Sequence, residues 1–261
     1  MPLKVSQTEL DHKRPFAIGR IPLEITPQSL QAVRSDILIW FKNKQALVSV
    51  SKEKKCKIDT KKDYDLFSNF VRESSSDTKR LINRLSNPLL RQQILRQIWG
   101  RVILNRRDRY WLELSLLGLV NLDFFETRLE LSVMGRGASI VPHTDSVGKI
   151  FSGLIYLPTP EQKYQSETSD LGTSFWNSRI KNFKNRHLVT KQEQIDFYQQ
   201  AKPIIQTPFD DSYMWFFLRN ARSWHSVEKL TSLAPDDKRV SINYNILLRG
   251  SILKRMLHSQ S

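Results

Sequence analysis

The chain has 261 residues, 39% of them hydrophobic and 10% aromatic, with 41 lysines and arginines against 26 aspartates and glutamates and a formal net charge of +15. This length and apolar content exclude a disordered chain and support one sizeable core. The single cysteine, Cys56, excludes an intramolecular disulfide and fits a reducing compartment. The start Met1-Pro2-Leu3-Lys4-Val5 has no signal-like apolar run, and no window reaches membrane-spanning length, so the expectation is a cytoplasmic protein. The positive field favours anionic partners: a phosphorylated or nucleotide-linked small molecule, a nucleic acid or a membrane surface, against the plainer reading of a solvated basic surface. No basic block with interleaved aromatics marks a nucleic-acid groove; the densest run, Arg101 to Arg109, would suit an anion.

Residues 1–25, with Pro15 and Pro22, read as irregular. Thr26-Pro27 predicts a helix start, a hydroxyl cap followed by proline at the first helical position. Leu30, Val33, Ile37 and Trp40 then recur at helical spacing as far as Phe41. The lysine-rich residues 42–62 read as a surface loop or hairpin with a short strand over 46–50. Asp63 would cap a helix carrying Leu66, Phe67, Phe70 and Val71. Ser74-Ser75-Ser76-Asp77 breaks it and opens another, with Leu81, Ile82 and Leu85. Asn87-Pro88 opens a third, with Leu90, Ile94 and Ile98 on one stripe and Gly100 past its end. Residues 1–120 thus read as a mostly helical support region, with Tyr110 to Val120 ambiguous between helix and strand.

Beyond residue 120 the pattern changes. Strands are expected over 128–133, 138–145, 149–157, 172–176, 213–218, 222–230 and 239–248, with Gly135-Arg136-Gly137 as a turn and Thr190-Lys191-Gln192-Glu193 as a capping box. Several short strands with turns between them suggest a double-sheet jelly roll. The expected class is mainly β with flanking helices (α+β): one domain over 1–261, with a core at 121–250 and an insertion at 159–208 that would act as a lid.

Three short motifs carry the chemistry. In His143-Thr144-Asp145, strand alternation would aim an imidazole and a carboxylate at one point. His225, within Ser223-Trp224-His225-Ser226-Val227, offers a second imidazole. Two histidines and one carboxylate suit a non-haem Fe(II) site with open positions. Arg239-Val240-Ser241 follows, on a strand whose one face is Arg239, Ser241, Asn243 and Asn245 and whose other is Val240, Ile242, Tyr244 and Ile246. An inward arginine on such a strand needs an anionic partner.

This order of motifs, with the strand Gly153-Leu154-Ile155-Tyr156-Leu157-Pro158 between them, resembles the 2-oxoglutarate- and Fe(II)-dependent dioxygenases, their prolyl-4-hydroxylase-like branch above all. The resemblance covers about residues 121–250 and implies a double-stranded β-helix. It implies that His143, Asp145 and His225 hold Fe(II) and that Arg239 and Ser241, helped by Tyr156, hold the distal carboxylate of 2-oxoglutarate. The reaction would use O2, release succinate and CO2 and hydroxylate a C–H bond of a small-molecule or protein substrate, with ascorbate as a supporting reductant. Asp145 argues for oxygen transfer over halogenation, since halogenating relatives lack the carboxylate. Nucleic-acid demethylation is disfavoured, because such relatives carry a second arginine six residues after the first, where this chain has Asn245. Arg136, Arg222 and Trp224, at the expected pocket mouth, and Asn243 are the candidate substrate residues. His187 lies in the basic insertion; it could reach over the site as part of a lid, with a surface position as the plainer reading. The alternatives are an inactive protein on the same scaffold and a basic nucleic-acid-binding protein.

Overall fold

The computed structural model describes residues 8–50, 54–99, 125–146, 148–164, 170–180, 187–188 and 190–249. The apolar segment 110–120, the basic run 101–109 and residues 181–186 of the basic insertion lie outside them. The strands are β1 (Glu9–His12), β2 (Ile18–Pro22), β3 (Ser49–Val50), β4 (Lys55–Asp59), β5 (Phe125–Gly135), β6 (Ile140–His143), β7 (Lys149–Tyr156), β8 (Ser174–Asn177), β9 (Lys202–Gln206), β10 (Tyr213–Leu218), β11 (Trp224–Val227) and β12 (Lys238–Leu248). The helices are α1 (Pro27–Asn43), α2 (Tyr64–Glu73), α3 (Ser76–Leu85), α4 (Pro88–Trp99), α5 (Pro160–Tyr164) and α6 (Lys191–Gln200).

Eight strands form one antiparallel sheet in the order β1-β2-β10-β7-β12-β5-β4-β3, and four form another in the order β6-β11-β8-β9. From β5 onward the pairing is nested: β5 with β12, β6 with β11, β7 with β10, β8 with β9. The chain behaves as one long hairpin folded over so that successive pairs alternate between sheets.

β12 sits between β5 and β7 and pairs with β5 along its whole length. Its Val240, Ile242, Tyr244 and Ile246 are fully buried in the main core with Leu30, Val33 and Ile37 of α1 and Phe151 and Ile155 of β7. Alternation sends Arg239, Ser241, Asn243 and Asn245 to the opposite face, into a cavity. Helices α1–α4 therefore pack on one face of the large sheet, and its other face is free to carry polar chemistry.

The Thr26 side chain caps α1 by accepting from Ser29 N at 3.2 Å, with Pro27 in the first turn. Arg34, on the buried stripe of α1, donates to the Leu157 carbonyl at 2.5 Å and the Lys238 carbonyl at 2.9 Å, fixing the helix to β7 and β12 at the Arg239 end. Asp36 accepts from the hydroxyls of Ser75 and Thr78, each at 2.6 Å, and so joins α1 to the start of α3.

The N-terminal region adds strands to the helices expected of it. β1 and β2 occupy the part read as irregular, where β2 pairs with β10 from Pro22 to Ile18. β4 extends the sheet beyond β5, with Lys55 opposite Met134 and Asp59 opposite Glu130. Residues 46–50 hold the end of a 3-10 turn over Gln45–Leu47 and then only the two-residue β3. The segment 159–208 contains β8 and β9, which complete the small sheet. β9 went unread because Pro203 argues against a strand; as the outer strand of its sheet it tolerates the missing donor. Among the described residues no helix is long and apolar enough to cross a membrane.

Candidate metal centre

β6 and β11 are neighbours in the small sheet, and His143 lies directly opposite His225. Their rings sit 4.1 Å apart at the centroids. Asp145 falls just beyond β6, so strand alternation is not what aims it. Its position is set by neighbours: Lys149 Nζ donates to one carboxylate oxygen at 2.8 Å, Ser152 Oγ to the other at 2.5 Å, and Arg219 Nε to its carbonyl at 3.0 Å. One donor atom from each of His143, Asp145 and His225 lies within 4.8 Å of the other two, an arrangement able to hold one metal ion.

The protonation states suit that role. Each histidine places Nδ1 against the backbone carbonyl two residues earlier, His143 on Val141 at 2.9 Å and His225 on Ser223 at 3.0 Å. A carbonyl only accepts, so Nδ1 carries the proton and Nε2 keeps its lone pair for an ion. Burial pushes both imidazoles below their ordinary value, with the neighbouring His225 adding to the effect on His143, so both are neutral at pH 7. Burial pushes the Asp145 carboxyl up, but the Lys149 ammonium, 2.8 Å away, outweighs it and holds the group well below the usual carboxylate range. Two neutral imidazoles and one carboxylate form a donor set suited to Fe(II), and lone pairs remain on both carboxylate oxygens.

The three residues line a cavity of about 340 Å³ shared with Arg239, Ser241, Asn243 and Asn245. Arg239 is 3% exposed. Its Nε donates to the Leu171 carbonyl at 2.6 Å, and a terminal nitrogen lies 3.8 Å from Met134 Sδ. The guanidinium packs over the rings of Tyr156 and Phe209, at 5.2 and 5.5 Å from their centroids. Among the described residues no carboxylate pairs with it. Burial pushes its pKa down and Tyr156 opposes that, but a guanidinium stays charged throughout. The backbone beside it is tightly fitted: a Cβ on Gly172 would lie 1.8 Å from the Thr207 carbonyl oxygen, so only glycine lets Leu171 present its carbonyl there.

The Tyr156 side chain is fully buried, and its hydroxyl bonds to Thr173 Oγ1 and Thr207 Oγ1, each at 2.8 Å. Ser241 lines the cavity and is 1% exposed. Asn243 donates to Glu130 at 2.8 Å.

The other proposed mouth residues do not reach the cavity. Arg136 is exposed in the β5–β6 turn, where Gly137 takes φ +77°, and Arg222 is exposed in the turn before β11. Trp224 alternates with His225 and so faces the other way. It packs with Leu188 and Phe197 and donates to the Ile180 carbonyl at 2.8 Å.

Several residues of the site carried no assignment from sequence. His187, read as surface, stacks on His143 with centroids 4.3 Å apart and planes 14° from parallel. Ser152 was accessible by counting back from Tyr156 through Leu154 on one face of β7. Lys149, Arg219 and His187 offer no such periodic signal.

No family model matches the chain, and no curated protein matches it. Among solved structures, similarity is found to a Pseudomonas putida prolyl-4-hydroxylase, at 11% identity and TM-score 0.48 over 90% of this chain and 95% of that one. It is found to the non-haem α-ketoglutarate-dependent carbocyclase SnoK of nogalamycin biosynthesis, at 12% and 0.47 over 88% and 79%. A third is JOX2 in complex with 2OG, Fe and JA, at 12% and 0.43 over 86% and 65%. These likenesses are too distant to carry an argument about what this chain binds, and the His143, Asp145 and His225 geometry carries the reading instead.

Proposed function

We propose that this protein is a 2-oxoglutarate- and Fe(II)-dependent oxygenase, built on a double-stranded β-helix, that hydroxylates a C–H bond. The carrying observation is the juxtaposition in one cavity of two opposed histidines with backbone-locked tautomers, an ionised aspartate and a buried arginine with no carboxylate partner. The nested strand pairing, which alternates between two sheets, supports the β-helix. The single Cys56 fits a reducing, cytoplasmic setting.

His143 and His225, through Nε2, and Asp145, through its carboxylate, would hold the ion. Fe(II) with 2-oxoglutarate and O2, when bound, supplies the oxidising power for an unactivated C–H bond, with release of succinate and CO2. Everything else belongs to the chain. Lys149 and Ser152 keep the Asp145 carboxylate oriented and ionised. Arg239 offers an anionic cosubstrate charge-assisted hydrogen bonds from a buried position, and Ser241 adds a hydroxyl beside it. Tyr156, held by Thr173 and Thr207, fixes the ring surface on which the guanidinium lies.

Anaerobic titration of the purified protein with Fe(II) and then 2-oxoglutarate tests the reading. The chelate should give a visible charge-transfer band in the wild type, lost in His143→Ala and needing far more 2-oxoglutarate in Arg239→Gln. Absence of the band in the folded wild type would overturn the assignment. Succinate formation under O2, with ascorbate and without a prime substrate, extends the test to turnover.

A further inference from the structure

The cavity has a second charged wall that the metal ligands and Arg239 do not use. β4, the turn after it and β5 bring Lys55, Lys57, Lys62 and Arg128 to it, and with Lys149 and Arg239 six cationic side chains face three carboxylates. Two of those carboxylates are committed. Asp145 is held by Lys149, and Glu130 is shared between Lys55 at 2.6 Å and Lys57 at 3.3 Å. The third, Asp59, accepts from the backbone of Lys61 and Lys62 at 2.8 Å each. Arg128 has a loose 3.9 Å contact with Glu126, which Lys61 holds at 2.9 Å, and Lys57 has only a share of Glu130, so positive charge is left over along this stretch of wall.

Two buried polar atoms here lack partners. Arg128 Nε and Ser132 Oγ make no hydrogen bond, and the Ser132 side chain, 1% exposed, lines the cavity. Buried donors left unsatisfied are costly, and a ligand is one way to satisfy them. The sheet register fixes where this wall stands. Ser132 lies between Lys57 on β4 and Ser241 on β12. Arg128 lies opposite Asn245, which lies opposite Ser152, the residue that holds Asp145. Arg128 is thus two strand spacings, roughly 10 Å, from the residue that orients the metal carboxylate.

We infer that Lys57, Lys62, Arg128 and Ser132 form an oxyanion subsite for the prime substrate, a small molecule carrying an anionic group. The word substrate rests on the oxygenase reading; the anion site stands on the wall itself. Lys55 and Glu130 are positioning residues, since Glu130 spaces the two lysines and ties them to Asn243 on β12.

Calorimetric titration with inorganic sulfate and with acetate, at ionic strength held constant with chloride, tests this. It is run on the metal-free protein and, anaerobically, on the Fe(II)- and 2-oxoglutarate-loaded protein. The expected result is saturable binding weakened at least about tenfold in Arg128→Gln and in the exposed, fold-neutral Lys62→Gln. Arg128→Lys should restore part of it, and the remote Lys202→Gln should leave it unchanged. Preference for sulfate marks a tetrahedral oxyanion, and equal binding of acetate marks a carboxylate; either supports the subsite. Absence of saturable binding, or binding equal in wild type, Arg128→Gln and Lys62→Gln, overturns it. An intact charge-transfer band with no anion binding sinks the subsite alone, whereas anion binding without the band sinks the oxygenase reading alone.

Discussion

Arg239 and the Lys55–Lys57 pair face one cavity, yet the fold treats them differently. The lysines come with a counter-ion: Glu130 sits half-buried between them, and although burial pushes its carboxyl up, Lys55 and Lys57 outweigh that and hold it down at about 2. Arg239, more deeply buried, has a carbonyl, a thioether and two aromatic rings around it and no carboxylate. One carboxylate shared by two lysines locks the pair into the architecture and neutralises one charge of the two, whereas Arg239 has no such partner among the described residues and is waiting for a ligand. The free energy left unrecovered on burying Arg239 becomes available when an anion arrives.

The comparison presupposes a metal at the centre, and the largest expected effect probes that. His225→Ala should lower Fe(II) affinity by roughly a hundredfold or more, read by anaerobic equilibrium dialysis. A drop of only a few-fold would mean that the cavity is not a metal site and that Arg239 awaits some other anion. Next, Arg239→Gln should weaken 2-oxoglutarate binding by about 10- to 100-fold while Fe(II) binding holds, because charge-assisted hydrogen bonds are lost. In the ligand-free protein Arg239→Met should be neutral or stabilising by about 1–3 kcal/mol in a denaturant melt.

Glu130→Gln should do the opposite and cost roughly 2–3 kcal/mol at pH 7, since it leaves two lysines without their shared anion. The sign is set by the direction of the shift. A carboxyl lowered from 4.5 to about 2 contributes stability in full above about pH 5 and loses it as pH falls toward 2. Stability curves of wild type and Glu130→Gln should therefore converge at the acid end. Parallel curves would remove the distinction between partnered lysine and unpartnered arginine. The smallest effect is Tyr156→Phe, about 1 kcal/mol of stability from the lost bonds to Thr173 and Thr207, with only a few-fold change in 2-oxoglutarate affinity.

What the sequence discloses about this molecule follows the range of the forces involved. The start of α1 is local: Thr26, Pro27 and a stripe of apolar residues specify it, and the structure places the helix there. The two faces of β12 are equally local. β2 and β9 are not, because their few residues become strands by pairing with β10 and β8, and β1 in turn forms on β2. The same division runs through the site. His143, Asp145, His225 and Arg239 stand in short motifs with a chemical logic of their own. His187 and the Lys57–Arg128 wall matter only because β4 docks beside β5 and residue 187 returns over β6, which no periodicity encodes. Trp224 was misplaced for the converse reason: nearness to His225 in sequence on a strand means opposite sides of the sheet.

The facing of His143 and His225 across β6 and β11 has one more consequence. The two residues belong to opposite arms of the nested hairpin, one to the arm running out and the other to the arm returning. An ion bound between them is a clasp that closes a long loop of chain, and it should act on both of the sheets that the hairpin runs through. Loaded at a hundred times its dissociation constant, it would add about 2.7 kcal/mol to the folded state. The melting temperature of this protein would then register iron, with no substrate needed to see it.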